Sequence, residues 1–391
     1  MKFCVSFGKF NLKYFIYCIL FAFIDAYIIY VFYYDKQNSN IFGQHKLFGS
    51  LLYYLGYLLN IIPAWINKQK SKKEEKSIAN DSEEEDTLSA NSKSHREYFP
   101  NFDYLTFFIL CSLLLLTDLI YIAIKTINKN NDETEDEYLL FLIIFLVNKF
   151  FRETNYMHHI ITMIFFIIIE YITNIFFTIK HGKNKIQNFY LFSILGIIRP
   201  IILSIYYIYL KDLLDKKSIS PFKYNFLVGI VNTPLAIILY FIISFTKFGY
   251  KIDNSYYCDN IFELIKDIKE LDTIYILLLI VFPFACGILV LLLNKTIYDF
   301  SLYYIYIPFL VEKLIKGIFN EYTDMTSIII LISCFVIELI MILVFLEVIE
   351  INYFGINENL EKYHKSKGSF DNSLINEEND DYEFKEKNSI N

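Results

Sequence analysis

Asp118 stands in the run Leu113-Leu114-Leu115-Leu116-Thr117-Asp118-Leu119-Ile120. If that run crosses a bilayer, an ionised side chain at its centre costs about 2.5 kcal/mol or more, so such a group normally faces a cavity or a partner. Four other ionisable residues share this setting: Asp25, Glu170, Glu338 and Arg199, the last directly before Pro200. With one cation against several acids, the expectation is that Arg199 pairs with one of them. The surplus carboxylates are then available to carry protons or to bind a cationic solute. The plainer reading is that these charges satisfy each other and only fix helix registry. For Glu170 and Glu338 a position close to an interface is the more economical account, and Glu347 and Glu350 read as interfacial caps.

Lys313 and Lys316 lie in one apolar run, with Glu312 four residues before Lys316 and so on the same helix face. Two lysines in a cavity would meet an anionic solute; snorkelling toward an interface is the structural alternative. Asn232, Thr233 and Pro234 form the most polar point of another run, suited to bonding a solute or to joining helices. Pro200, Pro234, Pro283 and Pro308 each free a backbone carbonyl or kink a helix. His158 and His159 are adjacent, and adjacent helical residues diverge by about 100°, which argues against a shared metal. No nucleotide-binding loop, His-Glu-x-x-His, Gly-x-Ser-x-Gly or paired aspartates at protease spacing occur, so no catalytic residues, cofactor or metal are expected. The cysteines show neither a disulfide framework nor metal spacing.

These residues need elements that hold them inside a membrane. Of 391 residues, 55% are hydrophobic, which excludes an ordinary soluble chain, and apolar runs long enough to cross roughly 30 Å of hydrocarbon recur throughout. Ten runs can be placed, at 14–32, 47–66, 105–127, 138–150, 159–179, 189–210, 226–245, 274–293, 302–319 and 328–348. The run 138–150 would barely cross. The first run follows Lys2, Lys9 and Lys13, but lacks a small-residue cleavage site and reads as a retained span. The fold class expected is therefore all-α and polytopic, with about ten transmembrane helices.

Polar insertions at 67–102 and 247–272 each follow the second run of a group of five. The chain thus divides into an N-terminal arm (1–13), a five-helix group (14–179), a second five-helix group (189–348) and a polar tail (356–391) expected to be disordered. An odd number of spans per group makes the second enter from the opposite side, the hydropathy pattern of an inverted repeat. Lys and Arg fall about two to one on the side of the N-terminus, which places both termini in the cytosol. The sequons at Asn80 and Asn294 then face the cytosol and stay unmodified. The net charge of -7 lies mostly in two acidic stretches and the tail, and nothing points to nucleic acid.

Four stretches carry a family resemblance: Leu116-Thr117-Asp118-Leu119; the basic turn from Asn148 to Ile160; the charged segment from Tyr209 into Ser220-Pro221; and Leu293-Asn294-Lys295-Thr296-Ile297-Tyr298-Asp299-Phe300-Ser301. In this arrangement, over roughly residues 14 to 350, the chain resembles the drug/metabolite transporter superfamily, whose members include nucleotide-sugar transporters and the chloroquine-resistance-type transporters of protozoa. The resemblance implies a eukaryotic secondary transporter on an internal membrane, moving a small organic solute by alternating access, with proton coupling as an option. Asp25, Asp118, Arg199, Asn232 and Lys313 would line its cavity. The chain departs from that superfamily in its sparse glycines and prolines and its two long insertions. A non-transporting receptor or scaffold, docking partners through its loop and tail, is the alternative, and a membrane-embedded lipid enzyme lacks the interfacial polar cluster it would need.

Overall fold

The computed structural model describes residues 4–7, 12–66, 69, 104–127, 140, 142–146, 157–181, 189–216, 219–246, 260–300, 302–318, 325–346 and 348–352. Apart from one two-stranded ribbon, the regular structure among them is helical. In chain order the helices are α1 (Leu12–Asn38), α2 (Ile41–Gln44), α3 (Lys46–Leu59), α4 (Tyr104–Ile127), α5 (Met157–His181), α6 (Phe189–Lys216), α7 (Pro221–Ser244), α8 (Ile261–Lys269), α9 (Thr273–Asp299), α10 (Tyr306–Lys316) and α11 (Met325–Phe345). A 3₁₀ turn, Leu302–Ile305, leads into α10, and helical backbone resumes at 61–66 after a break at Asn60.

Seven helices among the described residues are long and apolar enough to cross a membrane: α1, α3 with its continuation, α4, α6, α7, α9 and α11. Their outer surfaces carry large apolar side chains such as Phe23, Ile238, Leu277 and Ile329, while Asn225, Asn232, Asn294 and Ser204 are buried. Apolar outside and polar inside suits a lipid solvent, because hydrocarbon welcomes the side chains that water would expel. The chain is a multi-pass membrane protein.

Several expected elements take a different form. Only part of the run 138–150 is described, and residues 140 and 142–146 within it are helical. The ninth run yields only the eleven-residue α10 behind its 3₁₀ turn. The described helical backbone there runs from 302 to 318 as a 3₁₀ turn, α10 and a π turn, of which α10 alone rises roughly 16 Å. The insertion 247–272 contains α8, which its polarity concealed. The insertion 67–102 and the tail lie outside the described residues, apart from a helical residue at 69.

Local sequence explains where the helices begin. Ser220 caps α7, its hydroxyl accepting from the Lys223 amide at 3.4 Å, and Pro221 follows at the first helical position, where a missing amide proton is harmless. Asp272 caps α9 through the Tyr275 amide at 2.6 Å, and Asn260 caps α8 through the Phe262 amide at 2.9 Å. After α1, Asn40 turns the chain with φ 52°, a left-handed conformation that Asn tolerates better than most residues. The carboxylate of Asp35 then accepts the Ile41 and Phe42 amides and the Tyr275 hydroxyl, at 2.6, 2.9 and 2.6 Å. Asn294, a glycosylation sequon on paper, is buried inside α9 and donates to Asn225 of α7 at 2.5 Å.

The chain forms two units. The larger comprises 13–144 and 182–328. In it α3 packs between α7 and α9, α4 lies against α6, and α1 lies along α9 through Phe21, Leu292 and Leu293. Glycines set the two closest crossings. A side chain at Gly56 would stand 2.6 Å from the Pro283 carbonyl of α9, and one at Gly229 2.5 Å from the Leu58 amide. Gly287 mirrors the first crossing, since a side chain there would stand 2.5 Å from the Gly56 carbonyl. At one end of this unit Lys13 pairs with Asp299 at 2.7 Å, and Lys211 donates to the carbonyls of Ile297 and Phe300 at 2.8 and 3.0 Å. At the other end His45 is enclosed, its Nε2 2.9 Å from Asp267 of α8 and its Nδ1 3.3 Å from the Tyr240 hydroxyl.

The second unit comprises 1–12, 145–181 and 329–391. Here β1 (Cys4–Phe7) and β2 (Ile349–Asn352) pair antiparallel, with Cys4 opposite Asn352 and Phe7 opposite Ile349. Phe345 of α11 meets His159 of α5, ring centroids 4.6 Å apart, and Glu338 is buried. The backbone of α5 carries Glu170, whose side chain lies outside the described residues.

Candidate functional site

The carboxylate of Asp118 is the centre of the larger unit's polar interior. It is the fifteenth residue of α4, roughly 21 Å from the helix start and hence deep within the span. Only a donor on a neighbouring helix can satisfy it there, because its own backbone amides are used within α4. Tyr54 of α3 supplies that donor: its hydroxyl meets Asp118 Oδ2 at 2.5 Å. Tyr54 itself is fully buried, so its hydroxyl has no competing water.

Tyr54 reaches α4 because α3 is held close by the glycine crossings described above. With Gly56 facing α9 and Gly229 of α7 against Leu58, the tyrosines of α3 pack into the interior. Tyr53 and Tyr57 stack edge-on at 5.3 Å, and Tyr54 lies 6.2 Å from Tyr57. From α6 come Tyr206 and Tyr207, and from α7 comes Tyr224, whose hydroxyl donates to that of Tyr206 at 3.2 Å. Tyr206 and Tyr224 are buried, and Phe107 of α4 closes edge-on over Tyr224 at 6.1 Å.

Arg199 joins this group from α6. Its guanidinium lies over the Tyr121 ring at 4.7 Å, one helical turn past Asp118 on α4. Among the described residues no direct salt bridge joins Arg199 to Asp118, and the buried Nε of Arg199 has no hydrogen-bond partner. A carboxylate bonded to a tyrosine hydroxyl and a guanidinium lying over a tyrosine ring thus stand without a direct ion pair between them. Pro200 lies inside the continuous helix α6, and Ser204 donates back to its carbonyl at 2.6 Å.

The other expected site residues are distributed differently. Asn232 is buried and donates to the Cys111 carbonyl of α4 at 3.2 Å, while its Oδ1 and the hydroxyl of Thr233 have no hydrogen-bond partner. This makes Asn232 a link between α7 and α4, two turns along α4 from Asp118. Asp25 is buried on α1, on the face that turns Phe21 toward α9. Lys313 occupies the last turn of α10, half-buried, beside the Glu312 to Lys316 pair at 2.6 Å. Neither Asp25 nor Lys313 is among the partners of Asp118. Of the five residues, the structure brings together Asp118 and Arg199, with Asn232 on an adjoining helix.

Among the described residues no three His, Cys, Asp or Glu side chains gather as metal ligands would. What sequence reasoning missed is the tyrosine set. Tyr53, Tyr54 and Tyr57 do recur at helical spacing, a signal muted by 33 tyrosines in the chain. No family model matches the chain, and no curated protein matches it.

Proposed function

We propose that the protein is a secondary transporter that moves a small organic solute across an internal membrane by alternating access. One observation supports this above the rest: a carboxylate and a guanidinium are kept in the same membrane interior without pairing, each lodged against tyrosines. Charges that served only registry would neutralise each other directly, since an unpaired pair at this depth is costly. Held apart, Asp118 and Arg199 can each take a polar group of a solute, with the tyrosine rings as its walls. Such a solute carries donors and acceptors on a small organic frame.

The reading includes both termini in the cytosol, from the placement of Lys and Arg, and membership of the drug/metabolite transporter superfamily, from the four motifs. The two five-helix groups would rock about the buried tyrosines, and the glycine crossings of α3 would supply a rigid pivot. Asp25, Asn232 and Lys313 would border the path rather than the central site.

The test is flux into proteoliposomes of the purified protein, with nucleotide sugars, amino acids and organic cations offered in turn. Saturable uptake of one class, abolished in Asp118→Asn and strongly reduced in Arg199→Gln at equal protein incorporation, is the expected result. Uptake that is indifferent to both substitutions would remove the site from the mechanism. Silence across the panel from folded protein would favour a receptor or scaffold.

A further inference from the structure

Helix α8 has three faces, and each suits a different surrounding. Leu264, Ile268 and, just past the helix, Leu271 recur at the spacing of one helical face. Leu264 is 4% exposed and belongs to the core that holds Phe48, Tyr275 and Phe282, and Ile268 and Leu271 pack against that core. Glu263, Lys266 and Glu270 share a second face, which is polar, with Lys266 bonded to Glu263 at 2.7 Å. The third face carries Phe262, Ile265 and Lys269, and its two apolar side chains are 52% and 49% exposed. The core accounts for the first face and water for the second. Neither accounts for the third, where two large apolar side chains stand half uncovered on a helix of nine residues.

The tethers of α8 fix its height in the bundle. At its start the Ile261 amide donates at 3.0 Å to the hydroxyl of Ser244, the last residue of α7. Near its end Asp267 lies 2.9 Å from His45, which stands directly before α3. Asp272, three residues past the helix, caps α9. Helix α8 is therefore held where α7 ends and α3 and α9 begin, the level at which the spanning helices leave the hydrocarbon. Its third face also continues a lipid-facing surface. On α7 the side chains of Ile238, Phe241 and Ile242 are exposed, as is Phe245 at its end. The Phe241 and Phe245 rings meet edge-on at 5.0 Å, and Phe245 meets Phe262 edge-on at 6.4 Å, so an aromatic row passes from the side of a span onto α8. We infer that α8 is an interfacial helix, lying along the bilayer surface with Phe262 and Ile265 sunk at the boundary between lipid headgroups and acyl chains. Lys269, on the same face, lays its stem against that boundary and extends its ammonium to the lipid phosphates. The bilayer is the partner of the third face, and through α8 it holds the ends of α3, α7 and α9 at a fixed depth.

The experiment is fluorescence quenching. The chain has a single tryptophan, Trp65, so Trp65→Phe gives a silent background. Into it are placed Phe262→Trp and Ile265→Trp on the third face and Glu270→Trp on the polar face, each in the full chain reconstituted in phosphatidylcholine vesicles. Each variant is read once residues 261–269 are as protected from amide exchange as in the native chain, and two reporters on the third face keep the test alive if one fails to fold. Emission is quenched in parallel by phosphatidylcholine brominated high on its acyl chains and by iodide in the water. Brominated lipid should quench Phe262→Trp and Ile265→Trp at least about twofold more than Glu270→Trp, and iodide should show the reverse order. Iodide quenching equal in all three, with no response to brominated lipid, would put the third face in water and overturn the placement. Shielding of the third face from both quenchers, relieved when the protein is diluted in lipid, would overturn it in favour of a second copy of the chain. None of these readouts needs a transported solute.

Discussion

The Tyr54 hydroxyl and the Asp118 carboxylate, 2.5 Å apart, join α3 to α4 at the depth where water cannot substitute for either partner. A hydrogen bond to a charged group contributes about 1.5–3 kcal/mol. Unfolding of the native chain, Tyr54→Phe, Asp118→Asn and the double variant in detergent should therefore show a coupling of at least about 1 kcal/mol. Additivity to within about 0.5 kcal/mol would mean that the two side chains do not act together.

The glycines of α3 predict opposite signs for one chemical change. A methyl group at Gly56 runs into the backbone of α9, with the Pro283 carbonyl at 2.6 Å and the Gly287 amide at 2.7 Å, neither able to swing aside. Gly56→Ala should destabilise by about 1–3 kcal/mol, the usual cost of overpacking. At Gly49 the methyl would meet only the Phe42 ring, at 3.4 Å. Gly49→Ala should then stabilise by up to about 1 kcal/mol through helix propensity. Thermal unfolding of the two variants side by side checks both, and Gly56→Ala matching the native chain would contradict the close crossing.

Lys211 spends its ammonium on the end of α9, donating to the Ile297 and Phe300 carbonyls and pairing with Asp215 at 3.1 Å. These are the carbonyls a helix terminus leaves unbonded. Lys211→Met keeps the stem and deletes the donors. Amide exchange over residues 296–300 should accelerate by about tenfold or more while α7 is unaffected, and an unchanged pattern would reduce the contact to a surface ornament.

His45 fastens α8 to the bundle. Its Nε2 lies 2.9 Å from the Asp267 carboxylate and its Nδ1 3.3 Å from the Tyr240 hydroxyl, so both ring nitrogens are engaged. A second tie is the Ile261 amide, which donates to the Ser244 hydroxyl at 3.0 Å. His45→Phe preserves the ring and loses both polar contacts, and exchange mass spectrometry should show α8 opening before any spanning helix does. Protection of 261–269 equal to that of the native chain would refute the attachment.

On α8 itself, the bond from Lys266 to Glu263 at 2.7 Å raises the lysine's pKa above its ordinary value. A raised folded pKa means that this small contribution is complete below the ordinary lysine range and fades as pH rises through the folded value. Glu263→Gln should move the Lys266 titration back down toward the ordinary value, as read by NMR of the labelled side chain. Both groups are exposed, so global stability should barely respond.

Asp118 and Arg199 were legible in the sequence because an ionised group in an apolar run is conspicuous against its neighbours. Their arrangement was not, since a sequence shows which charges exist and not whether they touch. The tyrosines escaped notice for the opposite reason: in a chain with 19% aromatic residues, a buried tyrosine looks like an interfacial one until its hydroxyl finds a partner. Run lengths located the long spans well because hydropathy averages over many residues. At 302–319 the run takes a mixed form, with 3₁₀ backbone in the first turn and Pro308 near the start of the helix that follows. Ile349-Glu350-Ile351-Asn352 does alternate with the period of a strand, but its partner at 4–7 lies some 345 residues away, and no local pattern names it.

That ribbon constrains arithmetic as well as geometry. Two strands exchanging backbone hydrogen bonds occupy one aqueous compartment, so the polypeptide between Phe7 and Ile349 must traverse the bilayer an even number of times. Seven traverses violate this parity. The seven long apolar helices among the described residues therefore need an odd number of further crossings, and α5, whose 25 residues rise roughly 37 Å, is long enough to supply one. Reporter tags inserted just before Cys4 and just after Asn352 should therefore be digested by protease from the same face of sealed vesicles, whichever face that is.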